Sequence, residues 1–261
     1  MFRKLTLAAL SYIVTVALMA LQKPLFLLWY APRAAEATAA ELAAVSLHGL
    51  LLDSTTAGYI AVAPWLLMLA AVWIPVPEWA MRRMLDTYFI IISVIVALIV
   101  SVDMGLFRYW DFRLDSTVLL YLRTPKEAAA SVTAADMWPA LALFVAYGAT
   151  MIAAYLPLSK IYRAERASLG RRASSSLALL LVGGLLFLAI RGGTSTAPAN
   201  VSKVYFSDNM FLNQAATNPV FSFLSSAASP ELAADDYRYF SDSERERIFG
   251  SLRGGHDATA H

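Results

Sequence analysis

Cysteine is absent from this 261-residue sequence, and charged residues make up only 15% of it. The absence of cysteine excludes a disulfide framework, a thiol nucleophile and any cysteine-ligated metal site. A water-soluble domain carries about a quarter charged residues, so the scarcity of charge excludes an ordinary soluble domain. A net charge of +2 is too small to indicate a nucleic-acid partner. The apolar residues, 59% of the chain, are gathered into long runs, and such runs are typical of membrane proteins.

Five windows are long and apolar enough for a helix that crosses the bilayer core, which takes about 20 residues. They cover about residues 5–30, 50–74, 88–107, 137–158 and 176–190. The first contains Lys23, whose long side chain we expect to reach the lipid headgroups. Because that window is too long for a signal peptide, we interpret it as a retained span. The predicted fold class is all-α, a polytopic membrane bundle of five transmembrane helices with additional juxtamembrane interfacial helices.

Basic residues are concentrated in alternate loops, which predicts the orientation of the spans. They precede the first span, lie between the second and third, and crowd residues 160–172 between the fourth and fifth. Because lysine and arginine favour cytoplasmic loops, we expect a cytoplasmic N-terminus and an extracytoplasmic C-terminus.

The hydropathy pattern divides the chain into three regions. Residues 1–190 are predicted to form the five-helix transmembrane domain, residues 191–249 extracytoplasmic linker helices, and residues 250–261 a disordered tail. Within the linker, residues 201–224 predict one or two short helices on the outer leaflet of the membrane, broken near Asn218–Pro219. The alternative is simple packing against the helix bundle or against a following domain. The alanine-rich residues 34–45 predict an exposed or interfacial helix that leads into the second span.

Asp53 is an ionisable residue at the predicted membrane boundary, close to His48. A charge at this depth is costly unless it is paired or faces a polar cavity, which makes Asp53 a candidate functional residue. The alternative is a carboxylate that bonds to its serine and threonine neighbours as a helix N-cap.

The exit of the third span is rich in aromatic and charged residues. One interpretation is an aromatic belt that seats the helix at headgroup depth. The other is a phosphate site, because guanidinium groups pair bidentately with phosphate oxygens. In that hypothesis Arg108, Arg113 and Arg123 hold the phosphate, while Asp111 and Asp115 position the arginines.

Recognised catalytic motifs are missing. The sequence contains neither a zinc-binding histidine motif, nor a phosphate-binding glycine loop, nor a nucleophile elbow. His256 and His261 lie in the tail, where two neighbouring ligands do not make a metal site. We therefore expect neither a catalytic residue nor a metal-ligating residue in this chain.

Three blocks of sequence, combined with five spans, resemble a known family. They are HGLLLDSTTAGY at His48–Tyr59, VDMGLFRYWDFRLD at Val102–Asp115, and YFSDNMFLNQAATNPVFS at Tyr205–Ser222. Together they resemble the membrane portion of lipoteichoic acid synthase-like proteins. These are phosphoglycerol and phosphoethanolamine transferases of bacterial membranes that belong to the sulfatase and alkaline-phosphatase superfamily. The similarity extends to about Phe249.

The resemblance implies a multi-pass protein of the bacterial cytoplasmic membrane and an extracytoplasmic catalytic domain beyond this chain. That domain would carry a threonine nucleophile and a divalent metal, commonly manganese, and would take its group from a phosphatidylglycerol or phosphatidylethanolamine type of donor. No catalytic residue of the family can be carried onto this sequence. We therefore expect the chain to be the membrane anchor of such a transferase.

The anchor could also present the donor lipid. We expect His48, Asp53, Arg108, Arg113 and Arg123 to surround a headgroup pocket at one depth on one side of the membrane. A different class of function remains open, in which the five helices form a stand-alone assembly protein that binds partner proteins and has no catalytic activity.

Overall fold

The computed structural model describes residues 2–121, 134–165 and 167–228, and five residues of the 241–249 segment. Its helices are α1 (Phe2–Ala20), α2 (Gln22–Trp29), α3 (Ala31–Ala34), α4 (Ala39–Trp73), α5 (Glu78–Trp110), α6 (Val118–Tyr121), α7 (Ala134–Ser159), α8 (Leu169–Arg191), α9 (Met210–Ala216) and α10 (Pro219–Ala227). A short 3-10 helix covers Val201–Val204. Arg123 and the predicted tail at 250–261 lie outside the described residues.

Five helical segments are long and apolar enough to cross a membrane, which confirms the predicted spans and the all-α class. They are Phe2–Trp29, Ala39–Trp73, Glu78–Trp110, Met137–Ser159 and Leu169–Arg191. The first span comprises α1 and α2, which are separated by a turn at Leu21. No strand occurs in the part of the chain that the structure describes.

The alanine-rich stretch before the second span is not a separate helix. It is continuous with the span in α4, which has 35 residues. The helix begins at Thr38, whose hydroxyl accepts from the Glu41 amide at 3.3 Å while the Glu41 carboxylate accepts from the Thr38 amide at 2.8 Å. This reciprocal capping box satisfies two amides that the first turn would leave unpaired. Alanine then continues the helix at low conformational cost.

Side-chain bonds between the helices show that α4 runs antiparallel to the first span and to α8. Near one end, Lys4 of α1 donates to the carbonyl of Ala71 in α4. Near the middle, Thr15 of α1 bonds to Tyr155 of α7 at 2.8 Å. Near the other end, Thr55 of α4 donates to a carbonyl late in α8 at 3.0 Å.

The two ends of the bundle differ in composition. The end that includes the turn at 74–77 and the segment 160–165 is called the arginine-rich end below. There the Tyr162 hydroxyl donates to the Val76 carbonyl at 3.0 Å, and burial raises the pKa of Tyr162. The opposite end is called the capped end, because residues 201–221 fold back onto it from the end of α8.

The chain reverses after α8 at Gly192, which has φ +79°. An added Cβ at Gly192 would lie 2.8 Å from the side chain of Ala199, so the turn requires glycine both for its backbone angle and for space. Every residue from Phe211 to Phe221 is buried. Two short helices with a break at 217–218 are therefore present as predicted, and they pack into the bundle instead of lying on a membrane surface.

The chain divides into two compact units, Met1–Ser226 and Ala227–His261. The first unit contains the five spans and residues 201–221, which are called the returning segment below. In the few residues of the second unit that the structure describes, Ser241 and Glu244 form a capping box, with Glu244 accepting from the Ser241 amide at 3.0 Å.

Candidate functional site

The capped end contains a buried group of charged side chains. Lys23 of α2 pairs with Asp53 of α4, and the two side chains are 1% and 0% exposed. Asn218, between α9 and α10, donates to the same Asp53 oxygen at 2.7 Å. One carboxylate oxygen thus joins the first span, the second span and the returning segment.

This arrangement corrects two expectations drawn from the sequence. Lys23 does not extend to the headgroups, because its amine is buried against Asp53. Asp53 is not an N-cap, because it lies well inside α4, which begins at Thr38. The position of Lys23 has a physical cause: a buried charge needs a partner of opposite sign, and Lys23 and Asp53 supply it to each other.

A second buried ion pair lies near the first. Arg113, just after α5, is within 3.2 Å of Asp103, and the two side chains are 2% and 0% exposed. Asp103 also accepts from the Leu114 amide at 2.8 Å, which ties the chain that leaves α5 back to that helix. The guanidinium of Arg113 lies 4.2 Å from the ring centroid of Phe26, a favourable cation–π contact.

The two pairs balance in charge but leave several polar atoms without hydrogen bonds. Asp53 Oδ2, Gln22 Oε1 and the Arg113 Nε are buried and unbonded. Arg113 Nη1 and Asp103 Oδ2 are close enough for an ion pair but are not aligned as a hydrogen bond. Since a buried polar atom without a partner costs roughly 1–3 kcal/mol, these groups have unused capacity to bind water or to rearrange.

Two amide side chains, those of Gln214 and Asn218, attach the returning segment to these pairs, and a third, that of Asn213, bonds within the segment itself. Asn213 accepts from the amides of Phe206 and Ser207 at 2.9 and 3.0 Å. Gln214 accepts from the Arg113 amide at 3.2 Å. Asn218, besides its bond to Asp53, accepts from the Val220 amide at 2.9 Å and so begins α10.

Gly49 allows this segment to approach α4 closely. A Cβ at this position would lie 2.5 Å from Cε of Lys23 and 2.7 Å from the carbonyl oxygen of Ala216. The glycine therefore provides the space in which the Lys23 side chain and the backbone of α9 meet.

An exposed ion pair and an aromatic group border the buried charges. Arg33 pairs with Asp111 at 2.5 Å, and its guanidinium lies 4.6 Å from the ring centroid of Phe211. The Tyr30 hydroxyl donates to the Met104 carbonyl at 2.5 Å. Burial, and secondarily the Asp103 carboxylate, raise the pKa of Tyr30 to about 12, so the phenol keeps its proton at neutral pH.

The predicted site residues divide between the buried charges and the exposed surface. Asp53 and Arg113 are buried and paired. Asp111 is exposed and holds Arg33, and Asp115 accepts from the Thr117 amide at 2.9 Å; neither is bonded to Arg113. His48 is exposed and stacks on Phe206 with ring centroids 4.5 Å apart. Arg108 is exposed, and Arg123 lies outside the described residues.

Sequence reasoning missed four residues of the site: Lys23, Asp103, Gln214 and Asn218. A charge within a hydrophobic window was the available signal for Lys23 and Asp103, since such a residue requires a partner. No local pattern marked Gln214 or Asn218, because their partners are 101 and 165 positions away in the sequence.

The arrangement is suited to holding helices together and carries no recognisable reaction centre. Among the described residues, no group of three or more histidine, aspartate or glutamate side chains could hold a metal ion. Comparison with protein-family models, with curated proteins and with solved structures finds no match to this chain.

Proposed function

We propose that this chain is the membrane anchor of a lipid-dependent phosphoglycerol or phosphoethanolamine transferase of the sulfatase and alkaline-phosphatase superfamily. The proposal combines the sequence resemblance with one structural observation. The polypeptide that leaves the last span does not continue as a free linker. It returns to the bundle and is fastened by Asn218 to the Lys23–Asp53 pair.

Because the segment after the last span is bonded to the bundle, we expect the anchor to fix the position at which the following polypeptide begins. A long flexible linker would allow a catalytic domain to sample a large volume, and the effective concentration of that domain at the membrane would fall as the linker lengthens. Holding residues 211–221 in the bundle shortens the free part of the chain. A reacting group kept near the headgroups of its lipid substrate gains rate through positioning alone.

The exposed residues of the capped end support a second role, the presentation of a donor lipid. Arg108 and His48 are exposed, and the Arg33–Asp111 pair lies at the surface of the same end. A guanidinium can bind a lipid phosphate. In this proposal the capped end faces the extracytoplasmic leaflet of the bacterial cytoplasmic membrane, and the donor is phosphatidylglycerol or phosphatidylethanolamine.

The test measures donor-lipid turnover in membranes that contain the full-length protein. Arg108→Gln is expected to lower turnover about tenfold, because a charge-assisted contact to phosphate is lost. Arg171→Gln, which removes an exposed arginine at the arginine-rich end, is the matched control and should leave turnover unchanged. Equal turnover in both variants at equal membrane insertion would reject lipid presentation. An unaltered protein that consumes neither lipid would reject the transferase assignment.

A further inference from the structure

A groove with charged walls lies at the arginine-rich end, on the outward face of the first turns of α5. It has a volume of about 520 Å³ and is lined by Glu78, Trp79, Arg82, Arg83 and Asp86. It is called the charged groove below. Since the lining contains two carboxylates and two guanidinium groups, its formal charges sum to zero.

An apolar groove of about 500 Å³ adjoins it and shares Trp79 and Arg83. The remaining lining residues are mostly apolar: Ala80, Met84, Thr87, Tyr88 and Ile91. A helix rises 1.5 Å per residue, so Ile91 lies about 20 Å along the axis from Glu78. The charged groove is therefore at the end of the span, and the apolar groove extends toward its middle.

The polar groups in the charged groove differ in how many hydrogen bonds and ion pairs they form. Glu78 is occupied, because it pairs with Arg82 and Arg163 at 3.5 Å and accepts from the Ala164 amide at 3.3 Å. Asp86 Oδ1 and Arg82 Nε are buried without a hydrogen bond. Arg83 is exposed and forms no ion pair with any residue that the structure describes. Asp86 lines the same groove, is half-buried and, like Arg83, forms no ion pair with any residue that the structure describes. The groove thus offers one unpaired carboxylate and one unpaired guanidinium to a ligand.

We infer that these two grooves bind one molecule of phosphatidylethanolamine. Arg83 receives the phosphate, and Asp86 accepts a hydrogen bond from the ammonium group. The acyl chains lie along Met84, Tyr88 and Ile91. This lipid site is at the opposite end of the bundle from the residues proposed to present the donor, and it does not depend on the transferase assignment.

Charge and hydrogen bonding select this headgroup among common phospholipids. Phosphatidylcholine carries the same charges, but its quaternary ammonium has no N–H with which to satisfy Asp86. Phosphatidylglycerol has hydroxyl donors, but it carries no ammonium group to pair with the Asp86 carboxylate. The apolar groove distinguishes a lipid from soluble phosphoethanolamine, which has nothing to place there.

The experiment reconstitutes the protein in phosphatidylcholine bilayers that contain equal small amounts of phosphatidylethanolamine and phosphatidylglycerol. Lipids retained by the protein after gentle detergent extraction are counted by mass spectrometry. We expect phosphatidylethanolamine to be enriched about tenfold over the other two, the effect of one charge-assisted hydrogen bond. Soluble phosphoethanolamine added in excess should not displace it.

Two variants separate the contacts, and a third serves as the control. Asp86→Asn should lower retention of phosphatidylethanolamine to the level of phosphatidylcholine, while Arg83→Gln should lower retention of all three lipids because they share a phosphate. Arg171→Gln should change nothing. Both altered side chains lie at the surface or are half-buried, so melting temperatures should stay near that of the unaltered protein. Enrichment of phosphatidylglycerol, or a preference that survives Asp86→Asn, would overturn the inference.

Discussion

The buried pair of Lys23 and Asp53 predicts strong coupling between two residues 30 positions apart. Asp53→Asn removes the negative charge but keeps an oxygen that can accept from Asn218. It leaves the Lys23 amine, 1% exposed, without a counter-charge. Removing one partner of a buried pair costs about 3–5 kcal/mol, because the other charge remains desolvated. Lys23→Met should cost a similar amount, since it strands the carboxylate.

The double variant Lys23→Met with Asp53→Asn should recover much of this loss. Replacing both charges by neutral groups removes the desolvation penalty along with the attraction, and such replacements are often neutral or stabilising. The two single costs should therefore exceed the cost of the double variant by at least about 2 kcal/mol, a coupling within the range found for contacting residues.

Equilibrium unfolding in mixed micelles, followed by helical circular dichroism, measures all four proteins of the cycle. Arg171→Gln, at an exposed position of the opposite end, controls for the loss of any basic residue and should change stability by less than about 0.5 kcal/mol. If the two single costs are small and simply add in the double variant, the side chains are not paired in the folded protein.

Three further predictions concern the same end of the bundle. Gly49→Ala should destabilise the protein by about 1–3 kcal/mol, because the added methyl group overlaps with its neighbours. Gly105→Ala is the control: an added Cβ there meets nothing within 4 Å, so the change should be neutral or stabilising. Similar melting temperatures for the two variants would contradict the close packing at Gly49. Arg113→Lys should be destabilising despite the kept charge, because lysine lacks the guanidinium plane over Phe26, and thermal melting against Arg113→Gln measures this. Asn218→Ala should speed amide hydrogen exchange in residues 210–221 while leaving the spans protected; uniform exchange across the chain would refute a local fastening.

The five spans could be predicted from the sequence because they depend on a local property. A run of about 20 apolar residues has few alternatives to a membrane helix, since every backbone group must be bonded within the segment. The residues at which the spans begin and end were less predictable. The second span begins at Ala39, because the capping box of Thr38 starts a helix that the alanine-rich stretch continues without a break.

The candidate site was only partly predictable. The cost of burying Asp53 marked it as a residue that needs a partner, but the sequence did not identify Lys23. Lysine at the end of a hydrophobic window usually reaches water, and only the returning segment, which covers that end, removes the water. Burial of one residue thus depended on the fold of a segment almost 200 positions away.

Arg108 and Arg113, at the end of the third span, lie in different surroundings instead of at one common site. Their spacing suggested a common phosphate site, yet the αL conformation of Asp111, with φ 56°, ends α5 and turns the chain. Arg113 is directed inward to Asp103, while Arg108 remains exposed on the helix. Sequence separation alone could not show that a helix end falls between them.

Cysteine labelling tests most directly whether the chain crosses the membrane five times and whether the segment after the last span returns to the bundle. Because the chain has no cysteine, single cysteines can report on it without background. In intact cells, a membrane-impermeant maleimide should label Met210→Cys, at an exposed position, and spare Val220→Cys, at a buried one. Trp79→Cys, on the other side of the membrane in this topology, should react only after permeabilisation. Equal labelling of positions 210 and 220 would contradict the return of the segment to the bundle, and labelling of position 79 in intact cells would contradict the five-span topology.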